Sequence, residues 1–107
     1  MKLNILERVM AMQTIAEYKQ GNFITSKTLA TLKDKLLVNS EEIGKYELKV
    51  VDDNYVWNQL GNTEYVDFDF TEGEVKLVKD KLIQLDKEER LIIPQHISLY
   101  EKFVQNI

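Results

Sequence analysis

The spacing of apolar residues changes twice along this chain of 107 residues, and that change limits the folds open to it. Up to about residue 46 the spacing is helical. From 48 to 70 it alternates in places as a strand does, and from 71 it is helical again. Ile5, Val9, Met12 and Ala16, flanked by Leu6, Met10 and Ile15, predict an amphipathic helix over residues 3–19 with a broad apolar face. Gly21-Asn22 supplies a stop, because glycine accepts the left-handed conformation that closes a helix. Thr25 or Ser26 then caps a helix over about 26–37, with Leu29, Leu32 and Leu36 facing inward. Asn39, followed three positions on by Glu42, has the pattern of a capping box and opens a short helix to about Tyr46.

Extended structure follows. Leu48–Val51 and Tyr55–Asn58, joined by Asp52-Asp53-Asn54, read as a β-hairpin, with no Asn-Gly pair to set its turn type. Tyr65, Asp67 and Asp69 alternate with Val66, Phe68 and Phe70, so this strand should present one apolar and one acidic face. Thr71 with Glu74 forms a second capping box, and Val75, Val78, Leu82 and Leu85 make the buried stripe of the helix after it. Pro94 suits the first turn of a last helix carrying Ile97, Tyr100 and Val104. The expected fold is therefore α+β: two to three N-terminal helices, a three-stranded antiparallel β-meander, and two C-terminal helices. No repeat or linker divides the chain, so residues 1–107 should form a single domain. Leu, Ile, Val and Phe make up 35 of the 107 residues, enough for one core.

Several function classes fall away on residue type alone. Without cysteine there is neither a disulfide framework nor a thiolate metal site, and one histidine, His96, cannot build a histidine cluster. The four glycines, at 21, 44, 61 and 73, are isolated and form no phosphate loop. His96, Ser98 and Tyr100 follow no nucleophile pattern, and His96 reads as a surface or helix-start residue. The expectation is a protein that is not an enzyme and carries no cofactor or metal. Apolar runs as short as Leu91-Ile92-Ile93 span no membrane, and Glu7-Arg8 interrupts any leader-like stretch, so the chain should be intracellular.

The net charge of −4 is unevenly spread. Residues 51–74 hold Asp52, Asp53, Glu64, Asp67, Asp69, Glu72 and Glu74 and no base. Such a segment repels nucleic-acid phosphate and attracts basic surfaces. Asp52, Asp53, Trp57, Tyr65, Asp67 and Asp69 are accordingly the candidate protein-binding residues, on an acidic strand and hairpin. The bland alternatives are a solvated sheet face for the aspartates and a core position for Trp57. Asp67 and Asp69 could also face a hard cation, but Asp52-Asp53-Asn54 lacks the glycine and distal glutamate of a calcium loop.

Two other readings compete. Three helices and a hairpin suggest a winged-helix nucleic-acid-binding regulator, for which Lys27, Lys33 and Lys35 would meet phosphate. The acidic segment Ser40–Glu47 and the tip Asp52-Asp53 carry the wrong sign for it. An oligomeric binder of a small anion or nucleotide would use Lys76, Lys79 and Arg90. Self-association is suggested by Leu91-Ile92-Ile93 and by Ile107, apolar residues outside the periodic faces.

Leu3-Asn4-Ile5-Leu6-Glu7-Arg8, Gly21-Asn22-Phe23-Ile24-Thr25 and Ser98-Leu99-Tyr100-Glu101-Lys102-Phe103-Val104 together resemble small hypothetical proteins encoded by bacteriophages and prophages. No catalytic residue transfers from that group. The resemblance implies a setting, a phage product in the cytoplasm of its bacterial host. The sequence thus leads to a phage accessory protein, expected to self-associate as a homo-oligomer, that engages a host or phage protein through its acidic strand and hairpin.

Overall fold

Three capping boxes set the helix starts. In each, an Asn or Thr side chain accepts from the backbone N–H three residues on, and the glutamate there accepts from the cap's own N–H: Asn4 with Glu7, Asn39 with Glu42, Thr71 with Glu74. A computed structural model describes residues 1–106; Ile107, one of the residues suggesting self-association, lies outside them. The order is β1 (Lys2–Leu3), α1 (Ile5–Ile15), α2 (Phe23–Leu36), α3 (Ser40–Tyr46), β2 (Lys49–Val51), β3 (Asn54–Val56), α4 (Leu60–Thr63), β4 (Val66–Asp67), α5 (Glu72–Lys87) and α6 (Ile97–Tyr100). A π-helical stretch, Glu101–Gln105, continues α6.

The fold is α+β, but the three-stranded meander is not formed. The strands divide into two antiparallel pairs, β2 with β3 and β1 with β4. Lys2 faces Asp67 and Leu3 faces Val66, so the strand expected beside the hairpin pairs with the very start of the chain. Two local causes account for this. The Asn4 cap begins α1 at Ile5, which frees Lys2 and Leu3 to extend. Leu60–Thr63, between the predicted hairpin and the acidic strand, winds into α4, held by the Trp57 indole N–H on the Asn62 side-chain oxygen at 2.8 Å, and so separates the two sheets. Helices are also more numerous than the sequence suggested, six in the described residues. Asn22 rather than Thr25 or Ser26 caps α2, which brings Phe23 and Ile24 into its first turn.

The core lies where α1, α2, α5 and α6 meet. Leu3, Met10, Ala11, Ile15, Leu32, Leu36, Val78, Leu82, Leu99 and Phe103 form one buried cluster. The chain around β4 covers one side of it: the Phe68 and Phe70 rings stack at 5.3 Å, and Phe70 meets Phe103 at 5.9 Å. The alternation read from sequence holds here, with Val66, Phe68 and Phe70 half-buried and Tyr65, Asp67 and Asp69 exposed.

Candidate functional site

Each capping-box glutamate also receives a cation from another helix. Glu7 takes the Lys102 ammonium at 2.9 Å, Glu42 the Arg8 guanidinium at 2.6 Å, and Glu74 the Lys35 ammonium at 2.7 Å. One carboxylate in each case both starts a helix and anchors a neighbour. Arg8, buried in α1, further donates to the carbonyl oxygens of Leu36 and Leu37, satisfying acceptors that the end of α2 leaves open. Burial opposes ionisation of Glu42 and Glu74, but the hydrogen bonds to each outweigh it and hold both carboxyls below the ordinary value. Arg8 thereby ties α1 to the end of α2 and the start of α3 at one corner.

That corner is open on one side. A groove of about 440 Å³ runs along it, lined by Val9 and Met12 of α1 with Ala16 at its end, Leu36 of α2 with Leu37 at its end, Val38, Ile43 of α3, and Leu48 and Tyr55 at the hairpin. The lining is mostly apolar. Arg8 and Lys33 are the charged residues in it, and Arg8 is already engaged by Glu42. Of the broad apolar face read for the first helix, Val9, Met12 and Ala16 line this groove, and Met12 also packs against the core. The core takes Met10, Ala11 and Ile15.

Beside the groove stands the β2–β3 hairpin. Asp52 and Asp53 take φ of 51° and 65°, the left-handed pair that a two-residue turn needs to match strand twist. Val50 faces Tyr55, and Tyr55 lines the groove, so these two share the groove side; Val51 and Val56 share the other. All six strand residues are exposed, with Val50 at 60%, Val51 at 45%, Tyr55 at 52% and Val56 at 36%. A two-stranded hairpin with apolar residues open on both sides lacks the packing that normally stabilises one.

The other residues singled out from sequence are dispersed. Trp57 is half-buried and packs against Gly61, where an added Cβ would come within 2.5 Å of the indole. Asp67 meets the Met1 ammonium at 3.1 Å, Lys102 lies over the Tyr65 ring at 4.9 Å, and Lys35 donates to the Asp69 carbonyl. Glu64 pairs with Lys45 and Glu74 with Lys35. Folding thus brings cations to a segment that has none of its own. Asp52 and Asp53, at the hairpin tip, meet no cation within ion-pair distance among the described residues.

The lysines of the nucleic-acid reading do not gather: Lys35 is held by Glu74, Lys33 borders the groove, and Lys27 sits over Phe23. Lys76 and Lys79 share a shallow depression with Phe70, Glu72 and Asp80, whereas Arg90 is tied to Glu17 and Glu88 elsewhere. His96 starts α6 as read, but it is buried, and its Nδ1 accepts the Ile92 N–H at 2.7 Å. Among the described residues, no group of three or more His, Asp or Glu is placed to hold a metal ion, and no helix is long and apolar enough to cross a membrane. No protein-family model, curated protein or solved structure matches the chain.

Sequence reasoning missed the groove. Its signal was the excess width of apolar residues on the first helix, where Val9, Met12 and Ala16 lie beside a second set, Met10, Ala11 and Ile15. One stripe is enough for a helix with one buried side. A second asks for a second neighbour.

Proposed function

We propose that this chain acts by binding another protein, without catalysis, and that the β2–β3 hairpin and the groove beside it are the docking surface. The observation that carries this reading is the exposure of Val50, Val51, Tyr55 and Val56 on a hairpin that packs against little of its own chain. Contiguous exposed apolar surface is characteristic of interaction sites, and aromatic anchors such as Tyr55 commonly contribute most there. The free carboxylates of Asp52 and Asp53 at the tip favour a partner with a basic rim around an apolar centre. Asp69 and Glu72, also without an ion-pair partner among the described residues, extend the same preference more weakly along the acidic segment. A phage product acting in a bacterial cytoplasm is the setting that suits such a binding protein.

The test is affinity purification from a bacterial lysate, followed by titration of the identified partner against purified variants. Val50→Glu and Val56→Glu should weaken binding at least as strongly as the charge reversals Asp67→Lys and Asp69→Lys. Equal binding by wild type and both hairpin variants would remove the hairpin from the mechanism.

A further inference from the structure

Resting on the reading of the hairpin as a docking surface, we propose that a second copy of this chain occupies it in the absence of another partner. The two copies would form a two-fold dimer in which each hairpin lies in the other's groove. The argument begins with what the hairpin cannot do. In a hairpin with a two-residue turn, the pairs Val51–Asn54 and Lys49–Val56 direct their backbone groups at each other, which leaves only Val50 and Tyr55 with N–H and C=O turned outward. One residue on each edge is too short a ladder for strand addition to supply the affinity. Side chains must carry the contact, and the hairpin has apolar ones on both sides.

The occupant is then chosen by complementarity. The molecule carries a convex apolar element, the hairpin, directly beside a concave apolar one, the groove, since Tyr55 belongs to both. Adjacent convex and concave patches satisfy each other in a pair related by a two-fold axis, and every contact then occurs twice. The charges agree with this arrangement. Among the described residues, Asp52 and Asp53 at the tip have no cation, and Lys33 on the groove wall has no carboxylate, within ion-pair distance. Arg8 cannot serve as the receiving cation, because Glu42 and the Leu36 and Leu37 carbonyls already engage it. The open charges at the hairpin tip and on the groove wall are therefore opposite in sign, acids on the convex element and a base on the concave one. Lys49, also without a carboxylate among the described residues, stands at the opposite end of β2 from the tip.

Analytical ultracentrifugation of the full chain over a wide concentration range tests this directly. A species of twice the chain mass is expected. Lys33→Glu should raise its dissociation constant by about tenfold, as should the pair Asp52→Lys with Asp53→Lys. Combining all three substitutions should recover most of the lost affinity, an outcome that neither unfolding nor strain of lysines in the left-handed turn can produce. Because the chain has no cysteine, single cysteines report the geometry cleanly. Ala16→Cys and Val51→Cys proteins, mixed and oxidised, should form a mixed disulfide more readily than either forms one alone. A monomer at every concentration overturns the dimer, as does a dimer indifferent to the Lys33 and Asp52/Asp53 substitutions. Should the chain be monomeric while Val50→Glu abolishes binding of another protein, the dimer falls and the docking surface stands. Should a dimer of the expected geometry form while the hairpin variants still bind that protein fully, the dimer stands and the docking of a foreign partner on the hairpin falls.

Discussion

The Arg8 guanidinium lies 2.6 Å from the carboxylate of Glu42, 34 positions along the chain, and joins the start of α3 to the middle of α1. The same glutamate accepts the Asn39 backbone N–H at 3.1 Å to complete its capping box. Removing the cation leaves a partly buried carboxylate and two α2 carbonyls without their donor. Arg8→Met should therefore cost about 3–5 kcal/mol of folding stability in urea unfolding. The double variant Arg8→Met with Glu42→Met should recover part of that loss, since no unpaired charge remains.

Glu74 makes the corresponding junction between α5 and α2, accepting from Lys35, from Thr31 and from the Thr71 N–H. Thr71→Ala removes one cap and should cost about 1 kcal/mol. Glu74→Ala removes the cap, the ion pair and the Thr31 bond together, and thermal unfolding should show a loss about three times as large.

Acid should act on the fold in two separate windows. Burial lowers the pKa of His96 from 6.5, and its Nδ1 is occupied as an acceptor from Ile92, so the folded state holds the ring neutral. Glu17 and Arg90 border the same cavity but pair with each other at 3.0 Å, and neither is bonded to the imidazole. The unfolded chain takes up a proton near pH 6.5 that the folded chain refuses, so stability is full above that pH and declines below it toward the folded pKa. Glu42 and Glu74 are lowered from 4.5, so their contribution is full above that pH and is lost as acid protonates them below it. His96→Asn, whose side-chain oxygen can accept in place of Nδ1, should abolish the first decline and leave the second. A single decline confined to the carboxylate range in the wild type would refute the histidine's part.

At Gly61 the constraint is space. A Cβ there would approach the Trp57 indole to 2.5 Å, and its neighbour on the far side, Ile5, is in the buried wall of α1. Gly61→Ala should cost about 1–3 kcal/mol and displace the sole tryptophan, with a shift in its fluorescence as the readout.

The hairpin should behave in the opposite way. Val51→Lys replaces a valine exposed in the single chain, so at a concentration where the chain is monomeric urea unfolding should change by no more than about 0.5 kcal/mol. A large loss of stability would mean that the hairpin is held by its own chain and is not an open surface.

Much of this fold could be read along the chain because its signals are local. The pairs Asn39 with Glu42 and Thr71 with Glu74 announced two helix starts, and the Asp-rich turn announced the hairpin. The alternation from Tyr65 to Phe70 sorted inward from outward side chains, but not the neighbour with which Val66 and Asp67 would pair. A two-residue strand at positions 2 and 3 has no period to detect, and it won the pairing because the Asn4 cap had already ended any claim of α1 on those residues. Of the acidic segment, the tip aspartates stay open, whereas Asp67 and Glu64 acquire cations from far along the chain.

Helix starts, turns and the inward side of a strand follow from hydrogen bonds and side-chain periods only a few residues long, and the amino-acid order determined them alone. Which charges meet, which of two apolar sides of α1 is buried, and whether a groove opens between α1, α3 and the hairpin were decided by tertiary packing. Each of those outcomes sets one surface against another separated by tens of residues. Their free energies depend on the water excluded between them, which no local stretch of chain specifies.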